Sequence, residues 1–364
     1  MITFVSQYPT PENERDGMMQ RVKAIDALVS DSNRTYLDLS FKRNWLASES
    51  TPNANTRVLH LNVFRHAALI NKVIKDSDLI YVHSVYNALK VYSYYKSHGE
   101  KIVTDMHGIV PEELCYMGRK SLSAMYGKIE QRVVNYSDTL ITVTTAMSRH
   151  FNRKYECDGL ENKMLHVPII DFSIEKPEVA GIYTGSRSES DMNIIYAGGC
   201  QKWQNVELML DITKKIVTSR VGFFRFHYFV PPAAITYFEK LIGNRGLCSV
   251  IELCSVSRSE LIEKYGKMSL GFVLRDDIDI NRVAMPTKMV EYMSYGVVPI
   301  VRSPHIGDMQ FLGYQYVDIE ELGGSELSLD RLNEKRIVNL NVIEGLRKDS
   351  ADAQDLLRKK LGCC

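Results

Sequence analysis

The sequence predicts an α/β protein with two doubly wound parallel-sheet domains, and three observations support this. Short apolar runs alternate with amphipathic stretches, which is typical of βαβ units. The alternation stops at residues 171–192 and then restarts. The length of 364 residues suits two domains of roughly 100–200 residues each. We therefore expect an N-terminal domain over 1–170, a linker over 171–192 and a C-terminal domain over 193–347. A final helix over 348–364 is expected to pack back on the N-terminal domain.

The first half of the chain contains strand and helix patterns in alternation. Residues 2–6 are β-branched and aromatic, as in a buried strand, and residues 18–29 place apolar side chains at helical spacing. The same two criteria predict further strands at 36–40, 58–62, 79–83, 102–105, 139–144 and 164–168, and helices at 86–97, 119–136 and 146–156. Parallel strands with helices on both faces of the sheet follow from this order.

The second half restarts after a stretch that resembles a linker. Residues 171–192 contain Gly181, Gly185 and four serines with little apolar periodicity. Ser257 is a predicted N-cap for a helix that ends near residue 267. The remaining predicted strands are 193–198, 224–229, 250–256, 270–274 and 297–301, and the remaining helices are 204–216, 233–242, 287–295, 326–347 and 349–361.

Composition and charge exclude several classes of protein. The 45% hydrophobic and 24% charged content is ordinary globular usage, which excludes a disordered chain, a collagen or a coiled coil. The net charge of +1 gives no overall attraction for nucleic acid. Seven cysteines without a CxxC pair indicate a reduced protein with no disulfide framework. No signal peptide or membrane span is evident, so we expect a cytoplasmic protein with at most a weak peripheral contact at the inner membrane face.

Ligands of open α/β sheets bind beyond the carboxyl ends of the strands, so two such sheets predict an interdomain cleft. The most informative segment starts at Arg275, where a strand ends. Pro286 then begins a helix whose free N–H groups and dipole suit an anion, and Lys288 adds a positive charge. Glu291 lies one turn from Thr287 on the same face and is placed to accept hydrogen bonds from a diol. These residues predict an anion or sugar site.

The segment PTKMVEYMSYGVVPIV at 286–301 resembles the nucleotide-sugar signature of GT-B glycosyltransferases, most closely glycosyltransferase family 4 and related polysaccharide-building enzymes. The resemblance implies that Glu291 binds the ribose hydroxyls of the donor nucleotide. The expected nucleotide is UDP. It also implies that the loop 277–287 surrounds the donor sugar and diphosphate.

Other places resemble the same family in the same order. A glycine-rich turn with Gly198, Gly199 and Lys202 resembles the family's first donor-domain turn, whose lysine contacts the diphosphate. Residues 105–113 resemble the acceptor-domain loop that reaches the donor sugar, which implies catalytic roles for Asp105 and His107. Residues 130–145 resemble the family's helix–turn–strand. The amino-terminal loop of the family often contains a pair of glycines. The corresponding loop here, residues 7–17, contains only Gly17.

The sequence also departs from the family pattern. Val283 occupies the position where many retaining members have a first glutamate, seven residues before the second. Gly199 and Cys200 follow the turn where an arginine is common, so Arg275 is expected to replace that charge. Asp277 and Asp279 have the spacing of a metal-binding pair, but we interpret them as a solvated loop face and expect no metal.

The predicted mechanism stabilises the leaving diphosphate with a helix N-terminus and with Lys202, Lys288 and Arg275. In a retaining enzyme the departing phosphate deprotonates the acceptor and His107 steadies the donor sugar. In an inverting enzyme Asp105 or Glu113 is the base.

The favoured hypothesis is a retaining, metal-independent glycosyltransferase that acts in cell-surface polysaccharide biosynthesis. Its expected acceptor is a saccharide or a lipid-linked saccharide. A nucleotide-sugar 2-epimerase or a catalytically degenerate GT-B partner subunit remain as alternatives.

Overall fold

A computed structural model describes residues 1–13, 17–156, 159–168, 192–219, 224–322 and 327–362. The chain divides into two compact units. Unit 1 comprises Met1–Ile169 together with Asp349–Cys364, and unit 2 comprises Ile170–Lys348. The predicted linker lies outside the described residues except for its last residue, Met192.

Unit 1 is built on an eight-stranded sheet. Its strands are β1 (Ile2–Val5), β2 (Arg34–Ser40), β3 (Ser48–Asn53), β4 (Thr56–Asn62), β5 (Leu79–His83), β6 (Ile102–Met106), β7 (Thr139–Thr142) and β8 (Met164–His166). The strand order is β3-β4-β2-β1-β5-β6-β7-β8. All the pairs are parallel except β3–β4, which is antiparallel.

The helices of unit 1 connect these strands. They are α1 (Gly17–Ala27), α2 (Ala67–Asp76), α3 (Ser84–Ala88), α4 (Tyr95–His98), α5 (Val110–Tyr116), α6 (Lys120–Tyr136), α7 (Thr145–Tyr155) and α8 (Leu160–Lys163). The predicted helix at 86–97 is broken, because a 3₁₀ segment at Leu89–Tyr94 separates α3 from α4 and Val91 has non-helical dihedral angles.

Unit 2 contains a six-stranded parallel sheet. Its strands are β9 (Met192–Ala197), β10 (Phe224–Phe229), β11 (Ile251–Cys254), β12 (Leu270–Val273), β13 (Val298–Val301) and β14 (Val317–Asp318). Its helices are α9 (Val206–Ser219), α10 (Ile235–Arg245), α11 (Arg258–Tyr265), α12 (Asp279–Arg282), α13 (Thr287–Ser294) and the start of α14 (Leu329–Lys360). The order is β11-β10-β9-β12-β13-β14. The predicted cap at Ser257 is confirmed, since Ser257 and Glu260 form a capping box at the start of α11.

The sequence patterns missed the strand β3 and the helices α2, α5 and α8 of unit 1. Every residue of β3 is exposed, so β3 has no apolar alternation to detect and is specified by its pairing with β4. The helix α2 follows β4 directly and buries only Ile70, Val73 and Ile74.

At the other end of the chain, α14 is one continuous helix where two were predicted, because no proline interrupts its hydrogen bonds near residue 348.

The last residues of the chain complete the core of unit 1. Ala353, Leu357 and Leu361 are buried against Phe4, Val22 and other residues of β1 and α1. Ser350 is also buried, and its hydroxyl donates to the carbonyl oxygen of Pro168 at 3.4 Å. The C-terminal turns of α14 therefore belong to unit 1 by packing.

The parallel strands of each sheet reverse their order once, and this reversal locates the expected ligand sites. In unit 1 the chain order reverses between β1 and β5, and in unit 2 between β9 and β12. Ligands of such sheets bind beyond the carboxyl ends of the strands at the reversal.

No helix in the described part of the chain is both long and apolar enough to span a lipid bilayer.

Two adjacent leucines test the packing of α14. Leu357 is fully buried and Leu356 is 54% exposed. We expect Leu357→Ala to cost about 2–5 kcal/mol in the free energy of unfolding, because it leaves a cavity in the core of unit 1. Leu356→Ala should change it by less than about 0.5 kcal/mol. Urea denaturation compares the two, and equal costs would show that this part of α14 does not contribute to the core.

Candidate functional site

The carboxyl ends of β9 and β12 bring three of the predicted site residues of unit 2 together. Gly198 follows β9, Arg275 follows β12, and Lys288 lies in the first turn of α13. A Cβ added to Gly198 would lie 2.9 Å from the Nζ of Lys288. Only glycine therefore allows the lysine to lie this close to the turn.

Lys288 is buried but retains polar contacts. Its Nζ donates to Oε1 of Gln204 at 2.9 Å and lies 4.0 Å from the ring centroid of Tyr196. Burial holds the pKa of Lys288 well below its usual value, and the nearby charge of Arg275 lowers it further. A buried cation with a depressed pKa at a helix N-terminus is a site that an anion would stabilise.

Arg275 is buried beside the same turn. Its Nη1 donates to Oδ1 of Asn281 at 2.9 Å, and Nδ2 of Asn281 donates to the carbonyl oxygen of Asp276 at 2.9 Å. These bonds fix the loop after β12. The sequence analysis missed Asn281, although a fully buried asparagine in a polar loop indicates a structural hydrogen-bond network.

Glu291 lies one turn into α13, and both of its carboxylate oxygens have partners. Nη1 of Arg258 donates to Oε1 at 2.9 Å, and the hydroxyl of Tyr265 donates to Oε2 at 3.0 Å. Burial, and then the charge of Glu291, raises the pKa of Tyr265 well above its usual value. The carboxylate is thus held in one orientation by α11, with 14% of its side chain exposed.

The remaining predicted residues of unit 2 lie around this group. Pro286 is the cap before the first residue of α13 instead of the first helical residue, and Thr287 is half-buried. Gly199 accepts a hydrogen bond from the hydroxyl of Tyr196 through its carbonyl oxygen. Lys202 is exposed at the start of a 3₁₀ turn, Lys202–Gln204.

The aspartates of the loop after β12 contact basic residues. Nε of Arg282 donates to Asp277 at 2.7 Å, and Nη1 of Arg282 lies 3.6 Å from Asp279. Nδ1 of His305 lies 2.9 Å from the other Asp277 oxygen. Hydrogen bonds from Arg282 and His305 lower the pKa of Asp277 to about 2. These carboxylates are neutralised locally, while Val283 next to them is buried.

In unit 1 the predicted residues Asp105 and His107 lie together at the end of β6. Asp105 is fully buried, and its carboxylate accepts from Nε of Arg21 at 2.9 Å and from the hydroxyl of Tyr81 at 2.9 Å. Nε2 of His107 lies 3.3 Å from the same oxygen. Burial alone would raise the pKa of Asp105, but the charges of Arg21 and His107 hold it well below its usual value. Asp105 is therefore an ionised partner in a buried pair.

Sequence reasoning missed two members of this network. Arg21 lies on the buried face of α1, four residues before Ile25, and a charged residue at an apolar helical position is the signal that could have identified it. His83 ends β5, and its Nδ1 lies 3.4 Å from Nε2 of His107. Burial lowers the pKa of His83 well below its usual value, and its Nε2 has no hydrogen-bond partner among the described residues.

The three side chains His83, Asp105 and His107 have the spacing of metal ligands, since one ligand atom from each lies within 4.8 Å of the others. However, the Arg21 guanidinium already contacts the Asp105 carboxylate. A metal cation bound there would face this fixed positive charge at short range. The donor set consequently suits a hydrogen-bonded network better than a metal ion.

A concavity of about 430 Å³ lies near the carboxyl ends of β1 and β5. It is lined by Ser6, Gln7, Glu12, Asn13, Met18, Met19, Asn87 and Lys90. Gly17 begins α1, directly before Met18 of this lining. A Cβ added to Gly17 would meet no atom within 4 Å. Unit 1 thus has a pocket with both polar and apolar lining at its order reversal, where the topology predicts a ligand.

Comparison with known proteins agrees with this architecture. Residues 31–163 match the family model described as Glycosyltransferase Family 4. Sucrose-phosphate synthase from Thermosynechococcus elongatus aligns with a TM-score of 0.68 at 11% identity, over 99% of this chain and 97% of that one. The α,α-trehalose 6-phosphate synthase from Burkholderia multivorans gives 0.68 at 12% identity, over 99% and 98%. Anabaena HepE, solved with UDP and glucose, gives 0.64 at 13% identity, over 100% and 99%. No curated protein sequence matches the chain significantly.

The chain has the GT-B fold, and this confirms the fold class predicted from the sequence. The family match over residues 31–163, together with this fold, points to a glycosyltransferase, as the resemblance implied.

Substitution of Asp105 tests the buried pair of unit 1. We expect Asp105→Asn to cost about 3–5 kcal/mol in the free energy of unfolding at neutral pH, because Arg21 loses its buried counter-charge. The folded pKa of Asp105 is depressed, so its contribution is present above the unfolded value of about 3.9 and is lost as the pH falls below it. The cost should shrink at acid pH. Thermal denaturation over a pH series measures both effects, with the exposed Asp31→Asn as control.

Proposed function

We propose that the protein transfers a sugar from a nucleoside diphosphate donor, with UDP as the nucleotide, to a saccharide acceptor. The observation that best supports this is the buried Lys288 beside Arg275, at the order reversal of unit 2 and at the N-terminus of α13. Transfer breaks the bond between the anomeric carbon and the diphosphate, so negative charge develops on the leaving group. Two cations and a helix dipole held in a poorly solvated site stabilise such charge strongly.

Binding of the nucleotide is assigned to Glu291, about one turn after Lys288 along α13. Glu291 is oriented by Arg258 and Tyr265, and a carboxylate with several lone pairs can accept bonds from ribose hydroxyls as well. Lys202 lies exposed on the turn after β9 and is assigned to the diphosphate. The cations of the chain supply the charge that the leaving group requires, so we propose a reaction that does not depend on a metal.

The acceptor is assigned to the pocket of unit 1. Ser6, Gln7, Asn13 and Asn87 offer the donors and acceptors that saccharide hydroxyls need, and Lys90 adds a cation. Asp105 already contacts Arg21, Tyr81 and His107. We therefore propose that Asp105 positions His107 and does not act as the base that removes a proton. The acceptor proton then passes to the departing phosphate, which corresponds to retention of configuration.

The biological setting is proposed on the resemblance of the sequence to polysaccharide-building enzymes. One solved structure of the same fold is described as WaaG, a glycosyltransferase involved in lipopolysaccharide biosynthesis, and matches at 13% identity with a TM-score of 0.63. We propose that this chain extends a cell-surface glycan at the cytoplasmic face of the membrane, on a lipid-linked saccharide.

Donor hydrolysis tests the assignment of unit 2. We expect Lys288→Met to lower kcat/KM for UDP-sugar hydrolysis about 100- to 1,000-fold, because charge on the leaving group loses its buried partner. Glu291→Gln should mainly raise KM, since it weakens nucleotide binding in both the ground state and the transition state. The exposed pair Lys240→Met and Glu239→Gln on α10 are matched controls with no expected effect.

A panel of UDP-, GDP- and TDP-sugars distinguishes the alternatives. Hydrolysis or transfer that disappears in Lys288→Met supports the proposal. Release of an epimerised nucleotide sugar without acceptor would instead identify a 2-epimerase. Failure of every nucleotide to bind would contradict the proposal and favour a degenerate subunit.

The depressed pKa of Lys288 predicts how donor binding depends on pH. A diphosphate next to the amine restores its charged form, so binding takes up a proton and the affinity for UDP falls as the pH rises. Isothermal titration calorimetry in buffers of different ionisation enthalpy measures this uptake. The uptake should be absent in Lys288→Met and unchanged in Lys240→Met; an equal uptake in all three proteins would assign it to another group.

A further inference from the structure

Two loops at the carboxyl ends of β2 and β4 present large apolar side chains to solvent. In the first loop Trp45 is 56% exposed and Leu46 is 81% exposed, and in the second Phe64 is 71% exposed. Lys42, Arg43 and Arg65 are exposed beside them. We call these six residues the aromatic–basic patch. Adjacent exposed apolar side chains rimmed by charge commonly mark an interaction surface.

The two loops are held together by a buried residue. Asn62 is fully buried, and its Nδ2 donates to the carbonyl oxygens of Phe41 at 3.3 Å and Arg43 at 3.0 Å. Its Oδ1 accepts from the backbone N–H groups of Phe64 at 3.1 Å and Arg65 at 3.2 Å. The rings of Phe41 and Phe64 also pack at a centroid distance of 5.6 Å. The two loops that carry the exposed side chains are therefore held together by hydrogen bonds and ring packing.

The charge of the patch is uniformly positive. Neither loop, 41–46 or 63–66, contains an acidic residue. The carboxylates on the neighbouring strands face other partners, since Asp38 lies 2.9 Å from Nδ1 of His60 and Glu49 accepts from Arg57 at 2.7 Å. In a chain with a net charge of +1, this local excess is a specific feature of one edge of unit 1.

We propose that the aromatic–basic patch docks on the surface of an anionic phospholipid bilayer. Tryptophan and phenylalanine side chains favour the interface between headgroups and acyl chains, and lysine and arginine attract anionic headgroups. Both kinds of residue are present on one bonded surface. The combination of apolar side chains with positive charge complements an anionic bilayer on both counts.

The position of the patch connects it to the pocket of unit 1. The strands β1, β2 and β4 are adjacent and parallel, so their carboxyl ends lie at one edge of the sheet. Lys90 of the pocket interacts electrostatically with Asp38 and with Arg43 of the patch. A bilayer bound at the patch would lie beside the pocket. The inference goes beyond the proposed reaction and does not depend on it, because lipid binding needs no donor.

Vesicle sedimentation tests the proposal with the full chain. The protein should bind vesicles of phosphatidylcholine with phosphatidylglycerol and bind vesicles of phosphatidylcholine alone more weakly. Trp45→Ser with Phe64→Ser, and separately Lys42→Glu with Arg43→Glu, should each lower the partition coefficient about tenfold or more. Phe311→Ser is the matched apolar control, at 73% exposure in unit 2, and Lys214→Glu with Lys215→Glu is the matched charge control.

Fluorescence gives a second readout, because the chain has two tryptophans, Trp45 and Trp203. In a Trp203→Phe background, anionic vesicles should shift the emission of Trp45 to shorter wavelength. Equal partitioning of patch and control variants, or an unchanged emission, would overturn the proposal. UDP-sugar hydrolysis in solution should be unaltered by the patch variants, so a failure of lipid binding is separable from a failure of the proposed reaction.

Discussion

Buried charge at the carboxyl ends of parallel strands is the constraint on which both candidate sites depend. A parallel sheet covered by helices removes these strand ends from water, and a charge placed there requires a partner within the protein or in a ligand. In unit 1 the partner is internal, because Arg21 neutralises Asp105. In unit 2 two cations, Lys288 and Arg275, lie near each other, and the amine has a depressed pKa.

This difference separates the roles of the two units. The network of Arg21, Asp105 and Tyr81 is complete in itself, so it suits the positioning of His107. The amine of Lys288 in unit 2 gains stability from an added anion, because its pKa is depressed. Glu291, the carboxylate nearest to Lys288 in sequence, is held by Arg258. In the proposed function, the anionic donor is assigned to unit 2 and the neutral hydroxyl acceptor to unit 1, in agreement with this difference.

Much of the architecture was predictable from local patterns. The strand at Leu79–His83 and the strand at Phe224–Phe229 have the predicted bounds, since their apolar runs leave no alternative. The cap at Ser257 was equally predictable, because a cap depends on residues close in sequence. The exposed strand β3 was not, because its stability comes from pairing with β4 and none of its side chains is buried.

The sequence by itself determined the fold class, the glycine-rich turn and the helix that begins after Pro286, because each depends on neighbouring residues. It also placed Asp105 and His107 at a strand end. Only the tertiary structure decided that Asp105 is paired with Arg21, that Glu291 is held by Arg258 and Tyr265, and that Asn62 joins two exposed loops. Such pairings join residues 19 to 84 positions apart, and no local pattern records which distant side chains share a buried space.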